Sequence, residues 1–249
     1  MELPINQIVQ GDCLEVMKDF PDGSIDMILC DLPYGTTACS WDTIIPFEPL
    51  WAQYKRIIKD NGAIVLTASQ PFTSALVMSN IKDYKYDWYW KKDRASNFLN
   101  AKNQPMRNVE TISVFNTKKY NPIMEQWGEP SHSIGKSEGK INEGSTQGQR
   151  TNVNGNTKTN LKFPRTLLNF SVPHPPIHPT QKPVALFEYL IKTYTNEGDL
   201  ILDNCAGSGT TGIAAKKNNR NYILIEKEEK YCKIAKERIA SAPTPLFVN

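Results

Sequence analysis

Apolar positions along the first 116 residues fall into two alternating rhythms. Short continuous runs, "SIDMILC" (24–30) and "AIVLTAS" (63–69), read as buried strands. Between them, "PFEPLWAQYKRIIKDNG" (46–62) puts Leu50, Tyr54, Ile57 and Ile58 on one helical face, and Asn61-Gly62 supplies the stop. "QIVQGD" (7–12) reads as a strand with a turn. "CLEVMKDF" (13–20) is a helix ended by Pro21 and the Asp22-Gly23 turn, and "QPFTSALVMSN" (70–80) a helix with proline in its first turn. "YKYDWYW" (84–90) and "NVETISVFN" (108–116) are two strands joined by a polar loop over 91–107.

The pattern lapses from about 117 to 160. "EGKINEGSTQGQRTNVNGNTKTN" (138–160) is Gly, Asn, Ser and Thr with charges and almost no apolar residue. Periodicity returns with "PRTLLNFSV" (164–172). A helix follows in which Val184, Leu186, Phe187, Leu190 and Ile191 share a face. "GDLILDNCAGSGTTGIAAKKNN" (198–219) then reads as strand, Gly-rich turn and helix, and "RNYILIEKEEKYCKIAKERIA" (220–240) as strand, acid and helix. Strand–helix alternation on both sides of the polar segment predicts one doubly wound α/β domain with a mostly parallel sheet. Its halves are 1–116 and 166–249, and 117–165 is inserted between them.

Composition narrows the class. A chain of 249 residues with 39% hydrophobic content suits one sizeable domain, and no apolar run approaches the ~20 residues of a membrane span. "MELPINQIVQGD" has neither a basic start nor an apolar core, so no signal peptide is read. The five cysteines have no CxxC spacing, which argues against a disulfide framework or a zinc site and fits reduced thiols in a cytoplasmic protein. His174 and His178 lie in a proline-rich stretch unsuited to a helix, and no metal set is assigned. The net charge is +3, but residues 82–165 hold 11 Lys and 4 Arg against 8 Asp and Glu, a net +7. Such a basic middle suits phosphates.

Two stretches carry candidate chemistry. "LDNCAGSGTT" (202–211) follows a strand and opens a helix, with Gly207 and Gly209 where a ligand could approach the backbone. Gly207, Gly209 and Gly212 fit the dinucleotide spacing. Glu226, at the end of the next strand, could accept two ribose hydroxyls. This half alone therefore indicates an adenosine-containing cofactor, either NAD or an adenosyl donor. The second stretch is "ILCDLPYG" (28–35). Asp31, Leu32, Pro33 and Tyr34 leave a buried strand at the end where doubly wound sheets bind ligands. A carboxylate and a fixed carbonyl can accept the two N–H bonds of an exocyclic amine, and a ring can stack on a base turned out of a duplex.

Together, "DLPYG" and "LDNCAGSGTT" resemble the amino-methyltransferases of DNA that use S-adenosylmethionine. The motif order, with "HPTQKP" (178–183) before the second half, resembles their circularly permuted beta group. The resemblance covers roughly 5–116 and 163–240. It implies a Rossmann-like fold and transfer of a methyl group to the N6 amine of a flipped-out adenine in double-stranded DNA, as in restriction–modification systems. It makes Asp31, Leu32, Pro33 and Tyr34 the catalytic tetrad. Asp203, Cys205, Ala206, Gly207 and Gly209 would line the methionine and ribose side. Glu226 would hold the ribose, and Asp12, with Cys13 beside it, the cofactor's adenine. Thr180 and Lys182 would approach the methionine carboxylate.

Members usually show Asp-Pro-Pro-Tyr, whereas Leu32 stands second here, and Asn204-Cys205 replaces a common Pro-Phe. The acid at the first tetrad position favours adenine over N4 of cytosine. Lys91, Lys92, Arg94, Lys102 and Arg107 are candidates for contact with DNA, and by position 117–165 resembles a target-recognition segment. Dimerisation is common in the resembled group, so a homodimer is among its expectations. The alternatives are an N4-cytosine methyltransferase and, from the glycine spacing alone, an NAD-dependent oxidoreductase.

Overall fold

The computed structural model describes residues 2–37, 39, 42–126, 128, 132–133, 158–175 and 181–243. The strands are β1 (Gln7–Gln10), β2 (Ile25–Asp31), β3 (Ile58–Ala68), β4 (Tyr84–Ser96), β5 (Arg107–Phe115), β6 (Glu125–Gln126), β7 (His132–Ser133), β8 (Lys158–Thr159), β9 (Leu161–Lys162), β10 (Leu167–Asn169), β11 (Leu200–Asp203) and β12 (Asn221–Glu226). The helices are α1 (Cys13–Met17), α2 (Phe47–Ile57), α3 (Phe72–Ser79), α4 (Val184–Tyr194), α5 (Thr210–Lys217) and α6 (Glu229–Ser241).

Eight strands make one sheet in the order β1-β12-β11-β2-β3-β5-β4-β10. Only β5 runs against the rest. The sheet is covered on both faces, which is why its central strands are continuous apolar runs rather than alternating ones. One face packs Leu50, Trp51, Tyr54 and Ile57 of α2 with Phe72 and Leu76 of α3. The other packs Leu186, Phe187, Leu190 and Ile191 of α4 with Ile213 of α5 and Ile239 of α6. No helix among the described residues is long and apolar enough to cross a membrane.

The α2 boundary departs from the sequence reading. The helix stops at Ile57, and Ile58 already belongs to β3, so Asn61-Gly62 lies within the strand and does not end the helix. Ile58 pairs with Ile25 and Ala63 with Met27, which puts an irregularity between the two pairs. Gly62 is required at this step: a Cβ there would lie 2.8 Å from the Asp26 carbonyl oxygen.

The chain forms two compact units, 1–121 with 166–249, and 122–165. The second begins at Pro122 rather than at 117. Asn121 belongs to the first because its N–H donates to the Thr193 carbonyl at 2.7 Å, and Lys119 pairs with Asp199 at 2.7 Å. Within the second unit, β6 pairs with β9 and β7 with β8, both antiparallel.

Candidate active site

The order of the strands decides where the site lies. From β2 the chain crosses by α2 to β3 on one side, and from β11 it crosses by α5 to β12 on the other. The neighbours β2 and β11 are therefore the point at which the sheet's winding reverses, where ligands bind at the carboxyl ends. Asp31 and Asp203 are the last residues of these two strands. A cleft of about 1340 Å³ opens above them, with Asp12, Tyr34, Lys182, Asn204, Gly207 and Glu226 among its walls.

On the β2 side, Asp31 is the hub. Its Oδ1 accepts the Tyr34 hydroxyl at 2.7 Å and the Thr67 hydroxyl, and both carboxylate oxygens accept Lys182 Nζ at 2.7 Å. Tyr34 also reaches Thr67 Oγ1 at 3.0 Å, and its ring stacks on Phe72 with centroids 5.3 Å apart. Burial, then the charges of Asp31 and Glu110, push the Tyr34 phenol well above its ordinary range, so it stays protonated and donates. Leu32 is buried in the core below.

The loop after the tetrad is clamped by Asp42, which accepts N–H bonds from Gly35 (2.9 Å), Thr36 (2.9 Å) and Thr37 (2.7 Å). Burial works against the Asp42 charge, but these bonds outweigh it and hold the carboxyl below its usual value. Gly35 takes φ +66°, a left-handed conformation that suits glycine.

Lys182 enters from the segment before α4, with a side chain only 6% exposed. It lies against Asp31 and 3.5 Å from Glu110 Oε2, while Glu110 Oε1 accepts Lys92 at 3.0 Å. Burial disfavours the Lys182 charge, but the two carboxylates prevail and raise its pKa. Burial likewise opposes the Glu110 charge, and Lys182 and Lys92 lower its pKa in spite of it. Asp31, Lys182, Glu110 and Lys92 thus form one chain of alternating acidic and basic side chains.

On the β11 side, the Asp203 carboxylate accepts the Cys205 N–H at 3.1 Å and the Thr211 hydroxyl. Burial pushes its carboxyl up to about 7. Asn204 Oδ1 accepts the Tyr54 hydroxyl at 2.5 Å, tying the turn to α2 across the sheet. The Cys205 thiol is driven well above its ordinary value by contact with Cys13 and Cys30 and by burial, so it packs as a neutral group. Gly207 and Gly209 take φ +50° and +78°. Glu226 is oriented by two backbone donors, Gly207 N–H at 2.7 Å and Glu228 N–H at 2.9 Å. Asp12 caps α1 through Leu14 N–H at 3.0 Å, and Cys13 is buried behind it. Gly212 has a packing reason of its own: a Cβ there would meet Ile239 at 2.6 Å and Leu224 at 2.9 Å. The dinucleotide-like spacing therefore arises partly from helix packing.

The structure brings the tetrad, Asp12, Cys13, Asp203, Cys205, Ala206, Gly207, Glu226 and Lys182 to one cleft. Thr180 lies outside the described residues. Lys91, Arg94, Lys102 and Arg107 are exposed. Lys92 differs from them, because its ammonium is turned inward to Glu110. Glu110, Thr67, Asp42 and Phe72 were not anticipated. Glu110 had a signal: it is in phase with Ile112 and Val114 along β5, a carboxylate on a core-facing row. Among the described residues no His, Cys, Asp and Glu cluster suits a metal ion.

The donor set fits an adenosyl sulfonium ligand. Glu226 offers carboxylate oxygens beside a glycine turn, and the cleft continues without a break from there to Asp31. Comparison with known proteins agrees. Residues 25–237 match the family described as DNA methylase. The type II methyltransferase M2.MboI of Moraxella bovis is 28% identical over 270 residues, covering 97% of this chain and 90% of that protein. M.HinfI of Haemophilus influenzae is 27% identical over 278 residues, covering 94% and 68%. The crystal structure of the M1.HpyAVI–SAM complex superposes with a TM-score of 0.61 at 25% identity, covering 93% of this chain and 98% of that one.

Proposed function

The chain belongs to the DNA methylase family and is an S-adenosylmethionine-dependent DNA methyltransferase, and we propose that its acceptor is the N6 amine of an adenine turned out of the duplex. The observation that carries the acceptor assignment is Asp31, an oriented carboxylate at the reversal point of the sheet, in one cleft with Glu226.

Glu226 and Asp12 would hold the ribose and adenine of the methyl donor, and the turn at Ala206 and Gly207 would approach its methionine part, whereas Gly209 does not line the cleft and packs against Ala235 of α6. S-Adenosylmethionine supplies a methyl carbon on a positively charged sulfur, which keeps the electrons of the broken carbon–sulfur bond. The amine's lone pair is delocalised into the base and makes a poor nucleophile. Asp31 accepts one amine N–H, and the main-chain carbonyl at Leu32 or Pro33 accepts the other, which turns the lone pair out of the ring plane towards the donor. As the nitrogen–carbon bond forms, the nitrogen loses one proton, and Asp31 is the base within reach. Pro33 fixes the turn, and the ring of Tyr34, held by Asp31, Thr67 and Phe72, offers a stacking surface. Positioning of this kind supplies much of the rate. The unit 122–165 would contribute to target recognition, and Lys91, Arg94, Lys102 and Arg107 to phosphate contact.

Asp31→Ala tests the assignment. Methyl transfer to DNA should fall by at least about 100-fold, the scale of a lost acid–base and positioning group. The donor's dissociation constant, measured by calorimetry, should stay within about threefold of the parent, since Asp31 acts at the acceptor. Near-normal turnover in the variant would refute the mechanism.

A further inference from the structure

The tetrad explains how the amine is held, but not why the cleft contains a buried ammonium beside Asp31. The resemblance would send Lys182 to the methionine carboxylate. Its actual partners are the acceptor-side groups Asp31 and Glu110, and Nζ lies 5.5 Å from the Tyr34 ring centroid. One oxygen in this group is unusual: Glu110 Oε2 is buried and makes no hydrogen bond among the described residues, although Lys182 Nζ is only 3.5 Å away. It is ion-paired with Lys182 at a distance that leaves room for a closer hydrogen bond from the same ammonium.

We propose that Lys182 is a base-reading residue: it donates an N–H to the ring nitrogen next to the target amine, N1 of adenine, while Asp31 accepts from the amine itself. The proposal rests on the methyl-transfer reading above. Lys182 can only donate and an ionised Asp31 can only accept. Their polar atoms stand 2.7 Å apart, side by side at the head of the cleft. On adenine the amine donor and the N1 acceptor are separated by a single ring carbon, so the protein pair is complementary to that edge. When Lys182 turns one N–H to the base, it gives up part of its bidentate hold on Asp31. Glu110 Oε2 is placed to accept another N–H and keep the ammonium satisfied. Lys92 pins the second oxygen of Glu110 and so prevents the carboxylate from swinging away.

The same pair rejects the wrong bases. Guanine and thymine would face Asp31 with a carbonyl and Lys182 with an N–H, leaving like groups opposed at both positions. Cytosine presents the same amine-and-acceptor edge as adenine. Lys182 therefore selects amino bases as a class, and the choice between the two falls to the shape of the cleft.

The test first maps the target site by sequencing DNA methylated by the protein, then uses duplexes carrying that site with the target adenine present or replaced by 1-deazaadenine, which keeps the amine but lacks N1. The full-length parent should lose about 10- to 100-fold in kcat/KM on this replacement, the scale of a hydrogen bond to a charged group. Lys182→Met should be slower on adenine but lose less than about threefold on the replacement, because the contact is already gone. Lys182→Gln, which keeps a donor, should retain most of the parent's loss. Donor affinity should remain close to the parent's in both variants. Indifference of the parent to 1-deazaadenine would overturn the proposal without any variant. So would equal losses in the parent and Lys182→Met, or a tenfold weaker donor affinity with an unchanged analogue ratio, which would return Lys182 to the methionine carboxylate. Failure of the adenine reading looks different, as transfer to cytosine. The same comparison is then made with 3-deazacytosine, and the same pattern is expected.

Discussion

At the scale of single residues, the site is a set of polar side chains, each oriented by hydrogen bonds to its neighbours. Asp31, Tyr34, Gly207, Gly209 and Glu226 were legible in the sequence because each interrupts a pattern: an acid, a proline with a ring, or a glycine where a buried strand ends. Thr67 was not, because a single hydroxyl inside "AIVLTAS" looks like one more strand residue until β3 is laid beside β2 and Thr67 pairs with Asp31. The direction of Lys182 was also hidden, since it depends on how the chain enters α4. Glu226→Ala should weaken donor binding by about tenfold or more, with DNA affinity little changed, and paired calorimetric titrations check this. Asp203 gives a signature in pH. Its carboxyl is raised from 3.8 to about 7 in the folded protein, so folding favours the protonated form. That contribution is present at low pH and is lost as pH rises towards 7. The donor-free protein should accordingly gain melting temperature between pH 8 and pH 6 relative to Asp203→Asn. Identical pH profiles for the two proteins would contradict the burial of a titrating carboxyl there.

At the scale of elements, most strands and helices followed from hydrophobic periodicity, although β4 runs on to Ser96 and α1 stops at Met17, and the misplaced end of α2 has a local cause. Ile57 and Ile58 both look like the last apolar positions of α2, yet the chain switches from helix to strand between them because Ile58 pairs with Ile25. Periodicity cannot mark a switch at which both periods want an apolar residue. The glycine turn before α5 is the most constrained element. Gly209 combines φ +78° with a Cβ position 2.7 Å from the Ala235 Cβ of α6. Gly209→Ala should cost about 1–2 kcal/mol for the left-handed backbone alone, and more for the overlap with α6. In a chain of this size that amounts to a fall of at least about 2–4 °C in melting temperature. Donor binding should weaken with it, since the same turn orients Glu226 through the Gly207 N–H.

At the scale of the whole molecule, an α/β class was legible, but the adjacency of β2 and β11 was not. They are separated by some 170 residues, and only the finished strand order shows that Asp31 and Asp203 share a cleft. Charge is the other property of this scale. The exposed Lys91, Arg94, Lys102 and Arg107 should each contribute to the salt dependence of DNA binding. Replacing Arg94 or Lys102 by alanine should reduce the slope of log K against log salt by about one. Lys92→Ala should leave that slope unchanged while lowering turnover, because its ammonium is already spent on Glu110. A reduced slope in Lys92→Ala would show that this lysine faces phosphate.

Asp31 receives the amine of an adenine opposite a bound methyl donor in the proposed reaction. This role is tested most directly by incubating the protein with labelled S-adenosylmethionine and unmethylated genomic DNA, digesting the DNA to nucleosides and identifying the labelled one. Label should appear in N6-methyladenine and fall by at least about 100-fold in Asp31→Ala. Label confined to N4-methylcytosine, or none in DNA while the donor still binds, would contradict this role.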